Sequence, residues 1–501
     1  MPGFHEKRIL VVVLDGLRPD LVTPESMPFL DALRARGARP GRFHSVFPTA
    51  TRVNAAALGA GASPAATGVV ANRFMLPEVY EDRIFHTGKR DHVAAAERRF
   101  GGRFVESDTL GEALARHGLS LAVVCSGSPG TTHMVNPRAD ALGHVRLCLR
   151  DWRVSRPSGL AADLLARFGP IPETVFPNGP RMIRQTDMFL DGVVPAVNPD
   201  VSIMWYNDPD NTFHYRGLGS KESRGGLSVL DRELARLSAW AESGDRPTDL
   251  IIVSDHGHIT AAREIDLPAL LEPGGLLASS ANPDGPFEGV TGYFNALSLR
   301  EGAGAENRLS ALEWLAAQPW CGPVFVRGAA FPGYEALGIQ DLAAVGLDHS
   351  RTPDLLFLLN TTSGVDSWGV PGQSLFHGGV KEGGSLHGGL SPVETEAFFT
   401  AVGPSFAPHC VGSAPAGIPD VTPTVLSVLG IEAPETMTGR PLSELMADAS
   451  PDLRREMGTD EILSATSRDG GRTQAIRRSI CRGRVYLHSA DVRAAGERWL
   501  P

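Results

Sequence analysis

Six consecutive aliphatic residues, Ile9-Leu10-Val11-Val12-Val13-Leu14, stop abruptly at Asp15-Gly16. A run of this length is too short to span a bilayer. It is also too continuous for a strand with one wet face, so it reads as a parallel strand buried on both faces with a loop at its carboxyl end. Such a strand needs helices over both faces of its sheet, and the chain supplies them in alternation. Ser26 to Gly37 carries Met27, Leu30 and Leu33 at helical spacing with Gly37 as a stop; Leu110–Gly118 precedes the apolar run Leu119–Cys125; Val201–Tyr206 and Asp249–Val253 are further short buried strands. The pattern predicts an α/β fold, a sandwich of helices around a mostly parallel central sheet.

The 501 residues exceed what one core usually supports. The predicted organisation is a first part of the core over 1–258, with excursions at about 73–103 and 126–178. An inserted α+β cap follows over 259–386, then the second part of the core over 387–447 and a C-terminal extension over 448–501. The cap is expected to hold a helix over Asn307–Gln318 and strands at Tyr293–Leu299 and Val324–Arg327. In the extension, Gln474–His488 has the pattern of a hairpin.

A formal net charge of -10 gives no general reason to bind nucleic acid or an anionic membrane, so an anionic substrate must be held by a local positive field. Metal ions are the obvious source. The five cysteines are widely spaced, with no C-x-x-C pair, and read as reduced thiols. The polar opening Met1–Arg8 and the short apolar run after it carry no signal-peptide or anchor pattern, and cytoplasm is the expected compartment.

Open α/β sheets place ligands at the carboxyl ends of their strands. Four candidates stand there: Asp15, Asp208-Pro209-Asp210, Asp255-His256 and the Cys125-Ser126 turn. Each acid alone is as well explained as a cap or turn former. In Asp210-Asn-Thr-Phe-His214, a helix starting at Asp210 would bring Asp210 and His214 to one face, within reach of a single metal ion. Ser254-Asp255-His256-Gly257-His258 puts a carboxylate and an imidazole on adjacent positions at a strand end. Pro48-Thr-Ala-Thr51 changes from extended to helical at Thr51, so its hydroxyl lies beside free N–H groups and the positive end of a helix dipole. There it is either an attacking oxygen or, like Thr49, a helix cap.

With these motifs taken in order, the chain resembles the alkaline phosphatase superfamily, and within it the nucleotide pyrophosphatase/phosphodiesterase branch. The resemblance is carried by strand-Asp15-Gly16, Pro48-Thr-x-Thr51, Gly68-Val-Val-Ala-Asn72, Asp208-Pro-Asp210-x-x-x-His214, Ser254-Asp255-His256-Gly257 and Ser385-Leu-His387-Gly388-Gly389. Ile418–Gly430 and Met437–Leu442 resemble the closing helix and strand. It implies an alkaline phosphatase-like fold and two divalent metal ions, zinc by donor type with manganese as the alternative. One ion would be bound by Asp15, Asp255, His256 and the Thr51 oxygen, the other by Asp210, His214 and His387. It further implies phosphodiester hydrolysis through a covalent phosphothreonine on Thr51, with the Asn72 amide and the Thr51 N–H on a non-bridging oxygen. His258 stands where the family often has an apolar residue; it is either a solvent-exposed imidazole or one that touches substrate or leaving group. Arg52, Arg73 and Lys381 are candidate anion contacts or ordinary surface cations.

The sulfatase Cys/Ser-x-Pro-x-Arg stretch is missing at Thr51, and the Ser nucleophile and Arg clamp of an alkaline phosphatase proper are not found. The alternatives are a phosphonoacetate hydrolase-like C–P bond hydrolase, a phosphomonoesterase, or a catalytically silent binding protein on the same fold. The expected partner is a small phosphate- or phosphonate-containing substrate chosen by the cap, with neither nucleic acid nor membrane as a stable partner.

Overall fold

The computed structural model describes residues 6–244, 246–278 and 285–494. Its centre is a six-stranded sheet. In chain order the strands are β1 (Arg8–Leu14), β2 (Leu121–Cys125), β3 (Val145–Cys148), β4 (Val201–Tyr206), β5 (Thr248–Val253) and β6 (Phe399–Val402). In space they run β6-β5-β1-β4-β2-β3, all parallel except β6, which pairs antiparallel with β5. The chain builds outward from β1 to β3, returns to β4 beside β1, and then crosses to β5 on the other side. β1 is thus the place where the winding reverses, where an open α/β sheet leaves a crevice at its carboxyl edge.

The alternation of side chains along β1 explains its unbroken aliphatic run. Ile9, Val11 and Val13 enter one large buried cluster, while Leu10, Val12 and Leu14 enter another on the opposite face. Both faces are covered, so both need apolar residues. The second face is closed by the helix Lys221–Ser243, capped by the Ser220 hydroxyl, which buries Leu227, Leu230, Leu234 and Leu237 in a stripe.

On the first face lies α1 (Thr51–Ala60). It is apolar nearly all round, with small residues that let neighbours approach closely. A Cβ at Gly59 would stand 2.6 Å from the Val135 carbonyl oxygen of the Pro129–Val135 helix, so only glycine allows that contact. The helix ends at Gly61 in the left-handed conformation.

The expected helix at 26–37 is present as Pro28–Arg36 with Gly37 as its C-cap. The expected 110–118 helix is Leu110–Arg116, opened by a Thr109/Glu112 capping box. One expectation needs correction. The stretch 126–178 is not merely an excursion, because it contributes β3, the edge strand of the central sheet. Val145–Cys148 is only four residues long, too short to register as periodic.

The 259–386 region contains a five-stranded sheet with order Phe287–Val290, Phe294–Leu299, Leu355–Leu359, Cys321–Val326, Gln340–Asp341. The helix Ala305–Ala316 covers it, and the two share a separate apolar cluster built on Leu312, Leu315, Val324 and Phe357. The 474–488 hairpin is longer than expected, Arg472–Cys481 with Arg484–Ala494, and Thr459–Thr466 adds a third strand. This sheet is a brace. The Gln474 side chain both accepts from the Val324 N–H and donates to its carbonyl, and Ala490 N–H donates to Leu390 O, just past His387.

A buried ion pair ties the closing motif to that brace. Arg440 donates to both Glu444 oxygens at 2.8 and 2.7 Å, to Pro415 O and to the Tyr486 hydroxyl, with the two side chains 4% and 1% exposed. Removing one partner leaves an uncompensated buried charge. Glu444→Ala is therefore expected to lower unfolding free energy by about 3–5 kcal/mol, measured by urea denaturation, and the double change Arg440→Met with Glu444→Leu to lose distinctly less.

Candidate active site

Asp15 follows β1, Asp210 follows β4, and Asp255 and His256 follow β5. Because β1 lies between β4 and β5, with Leu14 opposite Tyr206 and Val13 opposite Val253, these side chains emerge next to one another. The backbone locks the arrangement. Gly16 N–H donates to Asp255 Oδ1 at 2.9 Å, Asp210 N–H to Asp15 O at 2.9 Å, and Asp15 N–H to Tyr206 O at 3.0 Å.

The side chains form two groups. In the first, His256 Nε2 lies 3.5 Å from Asp15 Oδ1 and 3.4 Å from Asp255 Oδ2, and Thr51 Oγ1 lies 3.5 Å from Asp15 Oδ1 and 3.3 Å from His256 Nε2. Bonds of about 2.0–2.1 Å to a tetrahedral zinc ion put neighbouring donor atoms about 3.3–3.4 Å apart. The separations of 3.3–3.5 Å are close to such a tetrahedron's edges. In the second group, Asp210 Oδ1 lies 3.2 Å from His214 Nε2 and 3.3 Å from His387 Nε2. The helix α2 (Asp210–Arg216) stacks its first and fifth residues on one face, as the spacing predicted.

Each donor is aimed by a second contact. His256, His214 and His387 turn Nδ1 toward backbone carbonyls, of Gly257 at 3.0 Å, Ser385 at 2.7 Å and Thr49 at 2.8 Å, and so present Nε2 to the site. An imidazole whose Nδ1–H is held by a carbonyl has an Nε2 lone pair ready for a metal. Asp15 Oδ2 accepts from Trp205 Nε1 at 3.0 Å and Asn207 Nδ2 at 3.2 Å, which leaves Oδ1 facing Thr51 and His256.

Asp15, Asp210 and Asp255 are all buried. Burial, with Asp255 and Asp210 as neighbours, holds Asp15 well above the carboxylate range, and burial raises Asp255 to about 8. Asp210 is also desolvated, but the imidazoles around it, His214 first, outweigh burial and hold it well below that range. Burial, with His387 and His258 beside it, keeps His256 far below its ordinary value, hence neutral. Asp255 Oδ2 is buried without a hydrogen-bond partner. Crowded carboxylates with an unmatched lone pair are costly unless cations sit among them, and carboxylate oxygens with imidazole nitrogens are donors such cations take, so the donor sets fit two divalent ions.

Thr51 is not a helix cap. The N-cap is Ala50, which has no side chain to bond the first turn, so the positive end of α1 faces the site unblocked. Thr49 is no cap either, because its hydroxyl donates to Gly389 O and accepts from Gly388 N–H, pinning the loop that carries His387. Asn72 lies beside α1, its Oδ1 accepting from Arg52 N–H at 3.3 Å, which leaves its Nδ2 as the donor. Arg52 is half-buried rather than a surface cation, whereas Arg73 is exposed.

Ser126 and Asp208 stand outside both groups, and His258 stands inside one. Ser126 accepts from Asn207 N–H at 3.0 Å and so steadies the loop after β4, whose Asn207 reaches Asp15, but belongs to neither donor group. Asp208 accepts from Thr212 and is raised to about 6 by burial; it shapes α2 and belongs to neither group. His258 is not solvent-exposed: it is fully buried against Asp210. Sequence reasoning does not single out Trp205, Asn207 or Ser385 as positioning residues. Trp205 reads as one more core residue of β4, and only its indole N–H, which needs a partner when buried, hints at more.

Among the described residues, no helix is long and apolar enough to cross a membrane. No curated protein sequence matches the chain significantly. Among solved structures, murine ectonucleotide pyrophosphatase/phosphodiesterase 5, an inactive variant in complex with AMP, matches at 18% identity and TM-score 0.58, covering 88% of this chain and 100% of that one. The human ectonucleotide pyrophosphatase/phosphodiesterase 5 structure matches at 18% identity and TM-score 0.58, covering 88% and 99%. These likenesses establish the fold, an alkaline phosphatase-like α/β sandwich. The family model for Type I phosphodiesterase / nucleotide pyrophosphatase matches residues 9–307, well over half of the chain, and takes in β1, Thr51, Asp210, His214, Asp255 and His256. The chain is therefore a member of the Type I phosphodiesterase / nucleotide pyrophosphatase family, within the alkaline phosphatase superfamily.

Proposed function

We propose that this protein is a two-metal phosphodiester hydrolase in which Thr51 is the nucleophile. The observation that carries the reading is the position of Thr51 Oγ1, 3.3 Å from His256 Nε2 and 3.5 Å from Asp15 Oδ1 at the open amino end of α1. Asp15, Asp255, His256 and Thr51 would hold one ion, and Asp210, His214 and His387 the other. Such ions, when bound, lower the pKa of a nearby hydroxyl and neutralise charge on a phosphoryl group and its leaving oxygen. Zinc suits the mixed imidazole and carboxylate donors, with manganese as the alternative.

The chain's own residues supply the rest. The Thr51 hydroxyl gives up its proton to solvent and its oxygen bonds to phosphorus as the bond to the leaving ester oxygen breaks in line and that oxygen takes a proton from water; a second water then bonds to phosphorus and breaks the Thr51 O–P bond, and Thr51 regains its proton. The Asn72 Nδ2 amide and the Thr51 N–H donate to a non-bridging oxygen, where negative charge grows. The N-terminal dipole of α1 favours the same charge. Arg52, a cation whose Nε lacks a partner, adds to the positive field beside them.

AMP in the matched murine structure favours a substrate whose scissile phosphorus belongs to a nucleoside monophosphate group. The 259–386 cap is proposed to choose among leaving groups, with a phosphonate such as phosphonoacetate as the second reading. Five unpaired cysteines accord with a reducing compartment such as the cytoplasm.

The test is a panel of chromogenic phosphodiester, phosphomonoester and phosphonate monoester, plus phosphonoacetate, assayed with zinc or manganese on metal-quantified protein. Diesters are expected to be preferred, with about two ions per chain. Preference for phosphonoacetate would replace the reading with C–P hydrolysis, and neither metal nor turnover would leave a silent binding protein. Thr51→Ala is expected to cut turnover by about 10³-fold or more while both ions remain; near-parental turnover would remove the covalent mechanism. His387→Ala should lower metal content at one site only, read by elemental analysis, and unchanged content with full activity would take His387 out of the set.

A further inference from the structure

The geometry points to His258 as a fourth protein ligand of the Asp210 metal site, which makes that site one carboxylate and three imidazoles. The inference rests on the two-metal reading above and adds a donor to it. His258 Nε2 lies 3.1 Å from Asp210 Oδ1, alongside 3.2 Å for His214 Nε2 and 3.3 Å for His387 Nε2. Three ring nitrogens thus surround one carboxylate oxygen at nearly equal distances. The donor atoms of all four residues lie within 4.8 Å of one another, and the three separations from Asp210 Oδ1 are close to the roughly 3.3–3.4 Å edges of a tetrahedral site with about 2.0–2.1 Å bonds.

The orientation of the ring fits this role. His258 Nδ1 is 2.9 Å from the Ser385 hydroxyl, whose backbone carbonyl already holds His214 Nδ1. Ser385 therefore aims two imidazoles at once, one with its side chain and one with its main chain. With Nδ1–H donating to Ser385 Oγ, the Nε2 lone pair of His258 faces the site, as it does in His214, His256 and His387. The backbone has made room for the ring: a Cβ at position 16 would stand 2.4 Å from His258 Nε2, and Gly16 sits at φ +73°. A purely structural His258 has little reason to be fully buried in the midst of three other imidazoles, with ring centroids 5.0 Å from His214, 5.6 Å from His256 and 5.1 Å from His387.

A fourth protein donor has chemical consequences. Three imidazoles and one carboxylate favour zinc over magnesium or calcium. Four protein donors would hold such an ion more tightly than three and would leave less of its coordination shell to water or substrate.

The test uses the cobalt-substituted protein and counts strongly shifted, exchangeable imidazole N–H signals in its proton NMR spectrum. Each histidine bound through Nε2 contributes one such signal from its Nδ1–H. Four are expected, from His214, His256, His258 and His387. His258→Leu should remove one and lower the affinity of a single metal site by at least roughly the 10–100-fold that loss of a supporting contact costs, measured by chelator competition. Ser385→Ala should keep the fold and shift the His258 signal. Two bound cobalt ions with only three signals, and a His258→Leu spectrum that matches the parent, would overturn the inference while leaving the two-metal reading intact. A protein that takes up no cobalt would overturn both.

Discussion

Everything in this molecule is arranged around the cost of burying Asp15, Asp210 and Asp255 side by side at the carboxyl edge of one sheet. Carboxylates in a dry site are tolerated only when protonated or matched by positive charge. Here the surroundings are imidazoles, of which burial keeps His256 and His258 uncharged, and one unmatched carboxylate oxygen, Asp255 Oδ2, and not a set of arginines. The missing positive charge is what divalent cations would bring. A fold that places these groups at the crossover beside β1 has accepted an electrostatic penalty in exchange for a site, which is how functional sites depart from the rules obeyed elsewhere in a chain.

Distant parts of the chain serve that site by holding its donors still. The small residues of α1 allow tight packing against the Pro129–Val135 helix, and that packing fixes where Thr51 begins the helix. Thr49, an apparent cap candidate, grips Gly388 and Gly389 and so sets His387. The C-terminal three-stranded sheet closes the loop from the outside through Ala490 and Leu390. Ser385 reaches two histidines from one residue. A donor out of place by an ångström loses much of its value, so the supporting contacts matter as much as the ligands.

Much of this is legible in the residues. β1 is a continuous aliphatic run, β4 and β5 are short, mostly apolar ones, and the acid or acid-imidazole pair after each falls where an α/β sheet puts its ligands. Helical spacing puts Asp210 and His214 on one face, but spacing alone explains a capping Asp and an incidental His equally well. His387 is not readable even to that extent, since nothing local marks a histidine in a glycine-rich loop as a partner of residues more than 130 positions earlier; only the ordered motifs point to it. β3 escapes because four residues carry no periodicity, and the third C-terminal strand because Thr459–Thr466 buries no residue and alternates only half-buried with exposed positions. The burial of His258 is hidden for a different reason. Two residues beyond Asp-His, its environment depends on Gly16, Phe213 and Ser385, which approach from three other segments. Burial decided by long-range packing leaves no trace in the neighbouring sequence.

The central claim is that two ions complete these donor groups, and anomalous diffraction from crystals of the zinc-loaded protein tests it most directly. The account predicts two peaks, one bounded by Asp15, Thr51, Asp255 and His256 and the other by Asp210, His214 and His387. Diester turnover by protein whose crystals show no peak at either position would contradict it.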